Sequence, residues 1–160
     1  MLKGRIDREA ISTYIDRQKD TFNFLVALMQ KEEKPASWRA TWIVNHLSEK
    51  NDKRLQKPLH NIIKSIKGKE DGHQRELIKI VRKMQLNEKN EGIFFDVCMN
   101  IWEDVKKQPA VRYYCGLFII EMAKKYPEIK NELDYLTADY YTKTLSPVIK
   151  RIFEKELAKF

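Results

Sequence analysis

The 160-residue chain carries 31 Lys and Arg against 23 Asp and Glu, a net charge of +8, with 42% hydrophobic residues that include 7 Phe, 7 Tyr and 3 Trp. That apolar content excludes a disordered chain, and 5 Gly and 5 Pro are too few turn formers for a many-stranded β fold, so one all-helical domain over residues 1–160 is expected. The basic excess favours acidic or polyanionic partners.

In chain order, a first segment near residues 6 to 31 aligns Phe22, Leu25, Val26 and Met29 on one face, with a break expected around Asp16 to Lys19. Pro35 and Ser37 open a second helix that ends near Asn51. A third buries Leu55, Leu59, Ile62, Ile63 and Ile66, with Pro58 in or near its first turn and Gly68 and Gly72 in the loop beyond. Asp71 with Gln74 resembles a capping box for a fourth helix carrying Leu77, Ile78, Val81 and Met84. Asn90 is the expected cap of a fifth, with Phe94, Val97, Cys98, Ile101 and Val105 inward. Pro109 starts a sixth, Pro127 a seventh that aligns Ile129, Leu133, Leu136 and Tyr140, and Ser146-Pro147 opens a short last helix. Short connections make neighbouring helices antiparallel pairs.

Cys98 and Cys115 lie in apolar runs without CxxC or CxxH spacing, which reads as buried free thiols in a reducing compartment. The opening MLKGRIDREAISTYIDRQKD has no apolar stretch of signal-peptide length. The longest weakly charged run, PAVRYYCGLFIIEMA, still holds Arg112 and Glu121 and falls short of the ~20 apolar residues of a membrane span. No membrane association and a cytoplasmic location are therefore expected.

Arg39, Arg75 and Arg112 open the second, fourth and sixth helices at intervals of 36 and 37 residues, each followed by apolar side chains at offsets +3 and +5. A two-helix unit at this interval matches HEAT and armadillo repeats, about 40 to 47 residues, better than the tetratricopeptide class, whose W-x-x-L-G-x-x-Y pattern is absent. The stretches PASWRATWIVNHL and QPAVRYYCGLFIIEMAKKYPEIKNEL resemble a family of small bacterial HEAT-like proteins, over roughly residues 20 to 140. The resemblance implies an α-α superhelix and no established chemistry at any residue; with the helices read above, the expected fold is a right-handed α-α superhelix of seven to eight helices in antiparallel pairs.

The helix SWRATWIVNHL has two apolar faces, with Ala40, Ile43, Val44 and Leu47 opposite Trp38 and Trp42. A repeat helix packed on both sides accounts for this, the first stripe meeting the following helix and the two indoles meeting the Phe22 to Met29 segment. The alternative is an exposed docking surface of Trp38, Arg39 and Trp42. The repeated arginines read as a structural ladder, each reaching the neighbouring repeat.

Catalytic patterns are sparse. His46, His60 and His73 are not paired at metal-ligand spacing, His46 with Glu49 lacks further ligands, and no phosphate loop, nucleophile elbow or Cys-His signature occurs. The expectation is no enzyme, no metal and no cofactor. Residues 37 to 72 hold 8 basic and 4 acidic groups, and residues 73 to 108 hold 7 and 6. If second helices of each pair line the binding groove, it runs from basic Lys53, Lys57, Lys64 and Lys67, through Asp96, Asn100 and Glu103, to acidic Glu128, Glu132 and Tyr135. Four phosphate contacts on such a graded track lose roughly 150-fold in affinity between 50 and 200 mM salt, so nucleic-acid binding should be weak and nonspecific. The reading is a noncatalytic protein-binding or scaffold module with an unknown protein partner. The alternative is a nucleic-acid-binding HEAT protein, repair-related in the manner of the alkylpurine glycosylases, although their catalytic Asp has no counterpart here.

Overall fold

Eleven helices and no strand make up residues 7–160, which the computed structural model of the chain describes. Met1 to Ile6, which the sequence reading places in the opening stretch and at the start of the first helix, lie outside the described residues. The helices are α1 (Arg8–Arg17), α2 (Lys19–Met29), α3 (Ala36–Leu47), α4 (Lys53–Gln56), α5 (Leu59–Ser65), α6 (Asp71–Arg82), α7 (Glu88–Glu103), α8 (Pro109–Lys125), α9 (Pro127–Leu136), α10 (Asp139–Thr142) and α11 (Pro147–Leu157). The count exceeds seven to eight because the first segment breaks at Gln18, the third helix is divided ahead of Pro58, and a short α10 precedes the last helix.

Local chemistry sets most of the boundaries. Asp7 caps α1 by accepting from the N–H groups of Glu9 and Ala10, and Ser146 caps α11 through Ile149 N–H at 3.4 Å. Pro109, Pro127 and Pro147 occupy first turns, where the missing N–H costs no helical bond. Gly68 takes φ +81 beyond α5, a left-handed conformation that costs other residues more. Two expected caps are displaced. Asn87, not Asn90, caps α7 by accepting from Asn90 N–H at 2.9 Å, because Asn90 already lies inside the first turn and holds His60 Nδ1 at 3.0 Å. Asp71 does not form a capping box with Gln74; it accepts from Lys107 Nζ and Gln108 N–H, tying the start of α6 to the start of α8.

Helices α2 and α3, α5 and α6, and α7 and α8 form the packed hairpins. The expected pairing of α3 with the helix after it is therefore wrong: α3 lies on α2, α6 and α1. Two rows result, α3–α6–α8 with direct contacts throughout, and α5–α7 with α9, whose main contact is α8. Helix α8 packs against α6, α7, α9 and α11, which is why its sequence is apolar on nearly every side. The core runs through Ile62 and Ile63 of α5, Leu77, Ile78 and Val81 of α6, Phe94 and Trp102 of α7, and Cys115 and Ile119 of α8. Cys98 and Cys115 are both buried free thiols, and burial together with the neighbouring Cys115 pushes the Cys98 thiol well above the usual range.

The arginine ladder is not uniform. Arg112 is wholly buried, its Nε donating to Trp102 C=O (2.9 Å), and its two terminal nitrogens to Thr144 Oγ1 (2.8 Å) and Tyr141 C=O (2.6 Å). Arg75 bonds its sequence neighbour Glu76, and Arg39 faces solvent. Tyr140 is likewise exposed rather than aligned with Leu136, because α9 ends before it.

Candidate functional site

The expectation that both indoles are buried against α2 does not hold. Trp38 is 46% exposed and lies along Gly72 of α6, while Trp42 is half-buried. Gly72 offers no side chain to cover the indole, and Arg39 beside it is also open to solvent. Trp38, Arg39 and Trp42 thus lie on the α3–α6–α8 row.

Further along that row the side chains line two adjoining cavities that open to solvent. The larger, about 510 Å³, is lined by Arg8, Asn45, His46, Lys79, Arg82, Lys83 and Tyr114. The smaller, about 100 Å³, is lined by Ile11, Trp42, Ile43 and Leu47, and Arg8 and His46 border both. The dividing wall is fixed by helical spacing: the His46 ring leans against Trp42 four residues earlier, centroids 3.8 Å apart and planes inclined by 31°, and its Nδ1–H donates to Trp42 C=O at 2.7 Å.

Behind the cations lies Glu76, 3% exposed, which accepts from Asn45 Nδ2 (2.6 Å), Lys79 Nζ (3.1 Å) and Arg75 Nε (3.2 Å). Burial opposes its charge, but the bonds from Lys79 and Asn45 outweigh that and hold its carboxyl below the usual carboxylate range. Glu76 therefore anchors Arg75 and Lys79 from beneath, and Lys79 Nζ also sits 5.3 Å above the Tyr114 ring. Lys83 Nζ donates to the carbonyls of Asn45 and Ser48 at the end of α3, where a cation complements the helix terminus. Burial, then the charge of Arg8, lowers its ammonium pKa. Arg82 pairs with Glu121, and its Nε, closed off from solvent, has no acceptor.

The ten residues picked out by charge striping are all exposed, and all but Lys53, which lies beside Asp16 of α1 and Leu47 of α3, lie on or beside the other row. Lys53 lies on α4, Lys57 and Lys67 flank α5, and Lys64 lies on it. Helix α7, packed against α5, presents Asp96, Asn100 and Glu103, and α9 presents Glu128, Glu132 and Tyr135. Asn100 Nδ2 donates to Asp96 C=O within its own helix, and the Tyr135 hydroxyl is 2.5 Å from that of Tyr141. The cluster of Arg8 from α1, Lys79 and Arg82 of α6, Lys83 at its end and Tyr114 of α8 was missed by that striping. Its signal was the repeat of Arg39 and Arg75, which marks the helices of this row.

His73 is a satisfied core histidine. Its Nε2 lies 2.8 Å from Thr41 Oγ1 and 3.0 Å from the Met29 carbonyl oxygen, which accepts from it, and burial, then the charge of Lys69, lowers its pKa. Among the described residues no group of three or more His, Cys, Asp and Glu side chains could hold a metal ion, and no helix is long and apolar enough to cross a membrane.

Stacked helical hairpins with solvent-facing charged and aromatic rows define a helical-repeat solenoid. The family model described as HEAT repeat domain matches residues 1–157, and the chain belongs to that family. No curated protein and no solved structure matches it. HEAT repeats generally mediate protein–protein interaction or scaffolding without catalysis.

Proposed function

We propose that this chain is a noncatalytic scaffold that docks a protein partner along the α3–α6–α8 row. The observation that carries the reading is the pair of adjoining cavities on that row, one cationic and one apolar, bounded by the Trp42–His46 ring pair. Desolvated aromatic and Arg side chains are the residue types that dominate binding energy at interfaces. The basic-to-acidic face from Lys53 to Tyr135 is the second candidate surface, suited to a bipolar partner.

Site-specific photocrosslinking separates the two rows. A benzophenone side chain is placed at His46 in one variant and at Asn100 of α7 in another, and adducts are recovered from nuclease-treated cells expressing the chain. The expected result is a discrete protein adduct from position 46 that survives nuclease. Adducts from position 100 alone would move docking to the α5–α7–α9 row, and an adduct abolished by nuclease would replace the scaffold reading with the nucleic-acid one.

A further inference from the structure

Four cationic side chains, Arg8, Lys79, Arg82 and Lys83, converge on the larger cavity, and no carboxylate lines it. Their existing partners leave the excess uncancelled. Glu76 lies beneath Lys79 and Arg75, Glu121 meets Arg82 alone, Lys83 is held by carbonyls, and Arg8 forms no ion pair among the described residues. A concave site with one sign of charge concentrates ligands of the opposite sign.

The adjoining apolar slot narrows the class of ligand. Ile11, Trp42, Ile43 and Leu47 surround about 100 Å³, a space on the scale of one aliphatic side chain, and it adjoins the cationic cavity along the border formed by Arg8 and His46. The charge is also local. On the far side of Leu47 a further cavity of about 470 Å³ is lined by Asp16, Glu49 and Asp52 together with Lys50, Lys53 and Arg54, and Glu121 stands at the α8 border. A nucleic-acid backbone needs a continuous basic track, whereas a short polypeptide segment needs only matched pockets.

Resting on the docking reading above, we infer that the α1–α3–α6–α8 pocket binds an acidic polypeptide segment, with its carboxylates among Arg8, Lys79, Arg82 and Lys83 and one aliphatic side chain in the slot formed by Ile11, Trp42, Ile43 and Leu47. Arginine and lysine donors to carboxylates supply the charge-assisted bonds, and the slot fixes the direction in which the segment lies.

The probe is a short fluorescein-labelled peptide of glutamates with a central leucine, titrated by anisotropy at about 150 mM salt. Its counterparts are the peptide with glutamines for glutamates, the peptide with serine for leucine, and a labelled DNA duplex. The acidic peptide should bind, with affinity about tenfold or more weaker for the glutamine and serine versions and for the Arg8→Glu chain. Arg8 is exposed and outside the core, so Arg8→Glu should keep the wild-type thermal midpoint. Lys64→Glu, on the opposite row, should leave peptide affinity unchanged. Absence of peptide binding, equal binding of the glutamine peptide, or indifference to Arg8→Glu would overturn the inference. Tighter binding of the duplex, lost in Arg8→Glu, would overturn it in favour of a polynucleotide. The two readings fail separately: no peptide binding with a persistent position-46 adduct removes the acidic-segment inference alone, whereas loss of that adduct removes the docking face itself.

Discussion

Arg112→Met should destabilise the chain by about 3 kcal/mol and lower its thermal midpoint by roughly 6–12 °C, read by urea and thermal denaturation. Arg112 has 0% exposure and no carboxylate partner; it is held by two backbone carbonyls, the Thr144 hydroxyl and the face of Trp102, 4.8 Å from the guanidinium carbon. Burial lowers its pKa, the mark of a charge whose desolvation is only partly offset. Methionine removes that desolvation cost, which by itself favours the variant. It also leaves the Trp102 and Tyr141 carbonyls buried without donors, at about 1–3 kcal/mol each, and this term should win. A variant as stable as the parent would show that the clamp between α7, α8 and the α10 region contributes nothing net.

The second large effect is at Gly116. Alanine in place of a mid-helix glycine ordinarily stabilises by ~1 kcal/mol. At Gly116 a Cβ would lie 2.2 Å from Phe153 Cζ and 2.8 Å from Trp102 Cζ3, two rings stacked with centroids 5.0 Å apart. Neither ring can retreat far, since Trp102 is 1% exposed and its indole N–H donates to Leu136 C=O at 2.9 Å. Overpacking of about 1–3 kcal/mol should reverse the sign, so Gly116→Ala melts below the parent. Gly92 of α7, where a Cβ meets nothing within 4 Å, is the internal control: Gly92→Ala should melt above it. If both substitutions stabilise, the docking of α11 on α8 through Phe153 is wrong.

What was legible in the sequence was chemistry that acts within a few residues. Pro109, Pro127 and Pro147 fix their own φ and lack an N–H, so they mark helix starts whatever packs nearby. The all-round apolarity of residues 109–125 is legible in the same local way, and it matches the interior place of α8. Pairing was not legible, because short connections on both sides of α3 allow either neighbour as its partner, and only tertiary packing selects α2. The repeated arginines show the same limit. Arg39, Arg75 and Arg112 share a repeat position, yet Arg112 alone finds buried carbonyl acceptors, Arg75 takes the adjacent Glu76, and Arg39 remains in water.

The indoles were misread because apolarity states what a side chain gains by burial, not whether a neighbour is large enough to cover it. Trp38 meets Gly72 and stays half in solvent. The cationic cavity was invisible to charge counting for a related reason: Arg8 is 71 residues before Lys79, and the two converge only after α1 and α6 have both packed against α3.

Amide hydrogen exchange during titration with the glutamate–leucine peptide tests the central claim most directly, because it reports each helix separately. The account predicts slowed exchange in α1, α3 and α6 and at the Tyr114 turn of α8, with α5, α7 and α9 unchanged. Slowing confined to α5, α7 and α9, or none at saturating peptide, would contradict it.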